Sequence, residues 1–468
     1  MFPLRLTAFE EYFLVNDHAQ APSSFLFRFQ LSGPFDLRAF RQALDVTTNL
    51  HPLSQCKIVL DHRNRPWWRP TDFEIPIERL DSIVGQYPNL PPLNVFSGRT
   101  LVAWVDEDLE SQNFTLVLQI HHCVFDGTGC LQFFTDWLNA YEGFLDQPAK
   151  SSVERTPQRK YDPLRLRKRC RSGATLVERI KLLPGQWRSI KATYQIMSRS
   201  VIRLVPKADV AEASQGRDAG VRCGVRSYVF DQRSTERLTL AAKKSHSTVN
   251  NLLATSLFLA VNRWQQDTGI RGVGSHLRVT IPINERNAAE HDRLSGCNHC
   301  TIISLDRSRE DLGRPTDLHQ GIRRDMETIQ RSRLSQNFWR ALMVMRWLPG
   351  GLEKRMKASN QTATTYISNL GNVSKHIDRN RLPERDRRVN VVDMDVAATL
   401  QHQMGAAFVA MFFEGRLKLA MHFHRDIMGD QQAEGLLKSF RAQVMQHAQI
   451  EFATSPLPAC ARPVERSS

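Results

Sequence analysis

Apolar and polar positions change period along this chain, and the changes mark its elements. Residues 25–31 (FLFRFQL) and 114–120 (FTLVLQI) show the short alternating apolar pattern of half-buried strands. Between them Asp36 stands before LRAFRQALDVTTNL, a capping residue followed by apolar positions at helical spacing, and His51-Pro52 closes that helix. Residues 55–60, a segment opening at Arg65-Pro66-Trp67-Trp68, and 95–105 read as further strands, so one sheet is expected ahead of residue 121. Upstream, LTAFEEYFLVNDH places Phe9, Tyr12, Phe13 and Val15 roughly on one helical face.

The pattern then repeats. A helix over 130–144 ends the first half. In the second half, strands are expected at 227–230, 277–283, 301–305 and 364–370, with 391–396, 406–413 and 418–424 as closing strands. Helices are expected at 232–244, from Asn251 to Trp264, at 317–331 and 336–347, and finally at 428–447. The division is 1–150 for a first lobe, 151–225 for a crossover, 226–455 for a second lobe and 456–468 for a tail. Two sheet-and-helix halves put a ligand site between them.

Charge changes this picture in one place. The net charge is +15, and residues 150–207 hold sixteen Lys and Arg against three acids, a local excess of thirteen. Such a run is a solvated connector or a surface for an acidic carrier protein, an anionic membrane or cofactor phosphates. Within it Trp187, Ile190, Tyr194 and Met197 could form an apolar helical stripe. No aromatic–basic interleaving or nucleic-acid motif accompanies it, so nucleic acid is not an expected partner. The longest apolar runs, 252–261 and 404–413, fall short of a bilayer span, and Glu10, Glu11 and Asp17 break up the start. A cytoplasmic protein, at most peripheral to a membrane, is expected. Eight scattered cysteines, Cys297 and Cys300 included, read as free thiols.

The candidate chemistry sits where the 114–120 strand gives way to the next helix: His121, His122, Cys123, Val124, Phe125, Asp126, Gly127. Neighbouring strand residues face opposite ways, so one histidine should work as a base and the other pack or hydrogen-bond. Asp126 can reach back to the histidines or pair with a cation and fix the loop, and Gly127 leaves room for a ligand or permits positive φ. Two histidines and an aspartate are metal-ligand types, but opposed faces argue against a shared ion, and no metal is expected.

HHCVFDG resembles the HHxxxDG signature of the acyltransferase superfamily that contains peptide-synthetase condensation domains, wax ester synthase/diacylglycerol acyltransferases, polyketide-associated acyltransferases and chloramphenicol acetyltransferase. The resemblance implies an α+β fold of two chloramphenicol acetyltransferase-like sandwich lobes, forming a V with a tunnel between them. It gives the general-base role to His122 and a mainly structural one to Asp126. It extends to the acidic-aromatic N-terminal helix and to Thr248-Val249-Asn250, where Asn251 replaces the family's aspartate. Asn298, and Ser368-Asn369 as candidate oxyanion donors in the acceptor channel, complete it. One departure stands out: in HPLSQCKI, Ser54 or Gln55 occupies the place of an arginine that in relatives pairs with the motif aspartate. Lys57 is close by, and Arg278 is another candidate cation.

The implied reaction moves an acyl group from a thioester, on coenzyme A or a carrier phosphopantetheine arm, to an alcohol or amine without an acyl-enzyme. No cofactor is bound; the thioester is a co-substrate, and a carrier would act in trans. The rival class is a binding or scaffold protein that keeps the fold without turnover, suggested by the missing arginine and by Asn251.

Overall fold

Strands β2 (Ser24–Ser32) and β7 (Asn113–His121) pair antiparallel, and their register sets one core face. Phe25, Phe27, Phe29 and Leu31 lie opposite Ile120, Leu118, Leu116 and Phe114, all buried. On that face pack the helices Leu37–Leu50 and Gly127–Asp146. Phe29 stacks on Phe134 at 3.6 Å between ring centroids, and Phe40 on Trp137 at 4.2 Å. Asp36 caps the first of these helices through the N–H groups of Arg38 and Ala39. The computed structural model describes residues 2–18, 21–79, 89–108, 112–146, 161–170, 199–206, 223–270, 272–287, 294–358, 363–378, 381, 383–384, 387–401 and 404–450. The 187–197 stripe, most of the basic stretch 150–207 and the tail 456–468 lie outside the described residues.

Three sheets organise these residues. The first runs β12-β2-β7-β6-β5, with β5 at Ile77–Arg79, β6 at Leu101–Asp108 and β12 at Asn390–Ala397. The second runs β10-β9-β11-β13-β14-β8. Its members are β8 (Cys223–Val229), β9 (His276–Asn284), β10 (Cys300–Ser308), β11 (Thr365–Asn372), β13 (Ala406–Phe413) and β14 (Arg416–His424). Helices Val249–Asp267 and Asp430–Ile450 share its core, where Phe440 meets Phe408 of β13 edge-on at 5.2 Å. The third is small, β1 (Leu4–Arg5) with β4 (Pro66–Pro70) and β3 (Cys56–Leu60).

Two expectations are corrected here. The strands before residue 121 form two sheets, not one, because β3 and β4 pair with β1. And 391–396 does not close the second sheet: β12 crosses back and pairs with β2, setting Met394 and Val396 against Phe29 and Phe27 in the first core. Alternation identifies a strand and its buried face, but not its partner. Lys418 of β14 then ties the sheets together, its ammonium donating to the Met394 carbonyl at 2.8 Å.

Candidate active site

β7 ends on His121, and the alternation of the strand sends the two histidines to different surroundings. The His121 ring is buried. Its Nδ1 accepts the Cys123 N–H at 3.2 Å, so Nε2 carries the proton and faces Asp17 Oδ2 at 3.3 Å. Asp17 is fixed in turn by the Ser23 N–H at 2.8 Å. The ring of His122 stacks flat on Phe13 at 3.8 Å, with Phe25 edge-on at 5.0 Å. His122 remains partly exposed, yet its Nδ1 is buried with no hydrogen-bond partner among the described residues, which leaves Nε2 as the open nitrogen. Burial pulls its pKa down to about 4, outweighing its own backbone, the Asp126 charge and the Asn298 side chain, which favour the cation. The ring is therefore uncharged at neutral pH.

Asp126 is buried and fully used. Oδ1 accepts the Gly129 N–H at 2.8 Å, and Oδ2 accepts the His299 N–H at 2.8 Å and Arg286 Nη1 at 2.7 Å. Burial alone would raise this carboxyl; the Arg286 charge and these donors hold it below its ordinary range. The second fork of Arg286 donates to the Cys297 carbonyl at 2.7 Å. Asn298 donates through Nδ2 to the carbonyls of His122 at 2.6 Å and Cys123 at 2.9 Å. The motif loop is thus clamped by a segment of the second half.

Arg278 is not the partner of Asp126. It lies on β9 and forks onto Asp306 of β10 at 2.7 and 2.9 Å. Ser54, near the expected arginine place, gives its hydroxyl to the His51 carbonyl at 2.7 Å. Arg286, the cation that does the work, stands two positions past the end of β9 and was not singled out; its position at a strand end was the available signal.

Gly127 opens the Gly127–Asp146 helix, and a Cβ there would come within 2.8 Å of Leu370 Cδ2. Its glycine is required by the close approach of β11, not by a positive φ. Ser368 and Asn369 precede that leucine on β11. Asn369 Oδ1 accepts the Gly371 N–H at 2.9 Å and closes a turn, while Ser368 is partly exposed with no hydrogen bond to its hydroxyl among the described residues. Gly129 is a second tight glycine, where a Cβ would lie 2.9 Å from the Cys297 carbonyl oxygen. Asn250 sits in the first turn of the Val249–Asp267 helix, and no hydrogen bond among the described residues links it to the motif.

A further layer was not foreseen. Residues 161–170, the described middle of the basic crossover, fold against the back of the site. Arg169 is buried and forks onto buried Glu10 at 2.6 and 2.8 Å. Glu10 also accepts from Trp68 Nε1 at 3.2 Å and closes a capping box with Thr7 on the helix that carries Phe13. The next residue, Cys170, donates its N–H to His299 Nδ1 at 3.1 Å and its thiol to the Asn298 carbonyl at 3.1 Å. So one charge of the basic stretch is a strut between the Phe13 helix and the Asn298 segment. The described cysteines are free thiols, and burial pushes those of Cys56 and Cys297 up to about 12. No group of three or more His, Cys, Asp or Glu among the described residues is placed to hold a metal ion.

Residues 102–255 match the family described as the wax ester synthase/diacylglycerol acyltransferase catalytic domain. An uncharacterized protein of Mycobacterium tuberculosis is 26% identical over 300 residues, an alignment spanning 61% of this chain and 62% of that protein. Among solved structures, trichothecene 15-O-acetyltransferase from Fusarium sporotrichioides superposes with a TM-score of 0.64 at 10% identity, covering 95% of each chain. The condensation domain of the monacolin K polyketide synthase does so with 0.62 at 11% identity, over 95% of this chain and 97% of that one. At these identities the structural likeness establishes the fold. With the family match over the motif region, it places the chain in the condensation-fold acyltransferase superfamily.

Proposed function

We propose that this protein transfers an acyl group from a thioester, carried on coenzyme A or on the phosphopantetheine arm of a carrier protein acting in trans, to an alcohol or amine. One observation carries the reading: an uncharged imidazole with one open nitrogen, on a loop clamped from both halves of the chain. His122 Nε2 takes the acceptor's proton as its oxygen or nitrogen attacks the thioester carbonyl. The tetrahedral oxyanion forms, the C–S bond breaks, and the proton goes to the departing thiolate. Ser368 is the candidate donor to the oxyanion, because its hydroxyl is uncommitted and its strand touches the motif at Gly127. Asp126 holds the loop and does not touch the reacting atoms.

The non-catalytic reading loses its first motive, since Asp126 has an arginine after all. The test is single-turnover acyl transfer with acyl-CoA and acyl-carrier donors against one mixed set of alcohols and amines, read by mass spectrometry. His122→Ala should slow the transfer on the order of 10²–10⁴-fold. Equal rates in the folded variant, or binding of the thioester without acceptor-dependent consumption, would sink the proposal. The donor that is consumed decides between free and carrier-bound thioester.

A further inference from the structure

Eleven large apolar side chains are exposed among the described residues, and four of them, Met343, Val344, Trp347 and Leu348, fall within six consecutive positions. Scattered exposed apolar residues are ordinary; a cluster is not. Trp347 is 78% exposed and Val344 60%. They sit on the helix Asn337–Trp347 and the turn after it, where Gly350 and Gly351, both at positive φ, reverse the chain into the helix Gly351–Ala358. The helix is not loosely held. On its inner side Trp339 donates to the Cys300 carbonyl at 2.9 Å, and Phe338 meets Phe9 and Tyr12 edge-on. The outward stripe is therefore presented by an anchored element.

Charge says what covers it. Residues 331–358 contain seven Lys and Arg and one acid, Glu353. Arg346 is committed to Glu11 at 2.9 Å, and Arg331 shares Glu327 on its own helix at 3.6 Å, but Arg333 and Lys354 are exposed on either side of the apolar tip. An apolar projection with a tryptophan at its end and flexible cations around it fits the boundary between lipid headgroups and acyl chains. An acidic protein partner would instead draw on cations at the centre of the patch. The position adds a consequence. Asn337, Ala341, Val344 and Leu348 fall in one row of the helix. Asn337 and Ala341 line a cavity of about 860 Å³ beside β10, with Ile302 and Leu318 on its walls. The row that begins on a cavity wall ends on the exposed patch.

We propose that the helix Asn337–Trp347 and its following turn dock this protein on an anionic phospholipid surface. Met343, Val344 and Trp347 enter the interface, and Arg333 and Lys354 face lipid phosphate. This contact is distinct from the basic stretch 150–207 and does not depend on the acyl-transfer reading.

The test is flotation of the full chain with vesicles of phosphatidylcholine alone and of equal parts phosphatidylcholine and phosphatidylglycerol. The wild type should float with the mixed vesicles. Val344→Ser with Trp347→Ser should weaken that partitioning at least about tenfold without changing thermal unfolding. Arg333→Glu with Lys354→Glu should remove the salt-sensitive part of the binding. Brominated lipid should quench tryptophan emission in the wild type, and Trp347→Phe should abolish that quenching. A wild type that stays with the unbound fraction would overturn the proposal. So would apolar variants that float unchanged, which would put the contact elsewhere in the chain. A wild-type dimer that the apolar variants convert to a monomer, with flotation unaffected, would assign the patch to a second copy and equally overturn it.

Discussion

Arg278 and Arg286 lie on one short stretch, β9 and the turn after it, and each reaches a buried aspartate at 2.7 Å. Their surroundings make them different devices. Arg278 sits directly opposite Asp306 across the β9–β10 ladder, so its pair stabilises a register that backbone hydrogen bonds already set. Asp306 has a second cation, Arg199, at 3.6 Å. Arg286 reaches Asp126 from a turn, across the two halves of the chain, and with Asn298 and the His299 N–H it fixes the loop that carries His122. The same charged contact is a brace inside a sheet in one case and the clamp of a reactive loop in the other. What distinguishes them is which segments they join, not their strength as pairs.

The largest effect that separates the two is expected from Arg286→Met. It strips the cation from a buried carboxylate, which costs about 3–5 kcal/mol in urea unfolding. It also frees the loop, and a displacement of His122 on the ångström scale costs on the order of 100-fold in kcat/KM. Adding Asp126→Asn should recover much of the stability and little of the activity. If the single variant keeps wild-type turnover per folded molecule, the clamp is only a brace and the contrast fails.

Next comes Arg169→Met, which leaves Glu10 with neutral donors only. A stability loss of about 3 kcal/mol is expected. Because the Glu10 helix supplies the ring on which His122 stacks, kcat/KM should fall roughly tenfold with little change in KM. A variant that loses stability alone would move Arg169 to the side of Arg278. For Arg278→Met itself the loss should be about 1–3 kcal/mol, since Arg199 remains near Asp306, with kcat/KM unaltered. A matching fall in activity would show that the second sheet, too, positions the loop.

These contrasts explain what could be read from the residues alone. HHCVFDG is a local string, and strand alternation already separates His121 from His122. Most helices and strands were legible for the same reason, since their periods are local. The partners were not. Arg286 lies 160 positions from Asp126, Glu10 lies 159 from Arg169, and β12 returns to β2 from the far end of the chain. No periodicity encodes which of two arginines near β9 turns towards the motif, or that three strands ahead of it belong to a separate sheet. Arg169 was read within a solvated or partner-facing charge run because charge density is visible in a sequence and burial of one member is not.

The smallest expected effect concerns one ring from each region. Burial brings both His122 and His422 of β14 down to about 4, and His422 is held in addition by the Ala398 carbonyl. Between the ordinary histidine value of 6.5 and about 4, the unfolded chain binds protons that these folded rings refuse. More protons on the unfolded state means that stability falls as pH falls through this window. His422→Gln should flatten that slope. Activity should not follow it. A general base that stays uncharged down to about 4 gives a kcat/KM nearly level from neutral pH to the lower end of the window, with the acid limb only near its own pKa. His422→Gln should leave this profile alone. An acid limb near 6.5 in the wild type would mean that the His122 ring is freely hydrated and charged in mild acid. The site would then owe its reactivity to exposure, and the difference between the two rings would reduce to which one a substrate can reach.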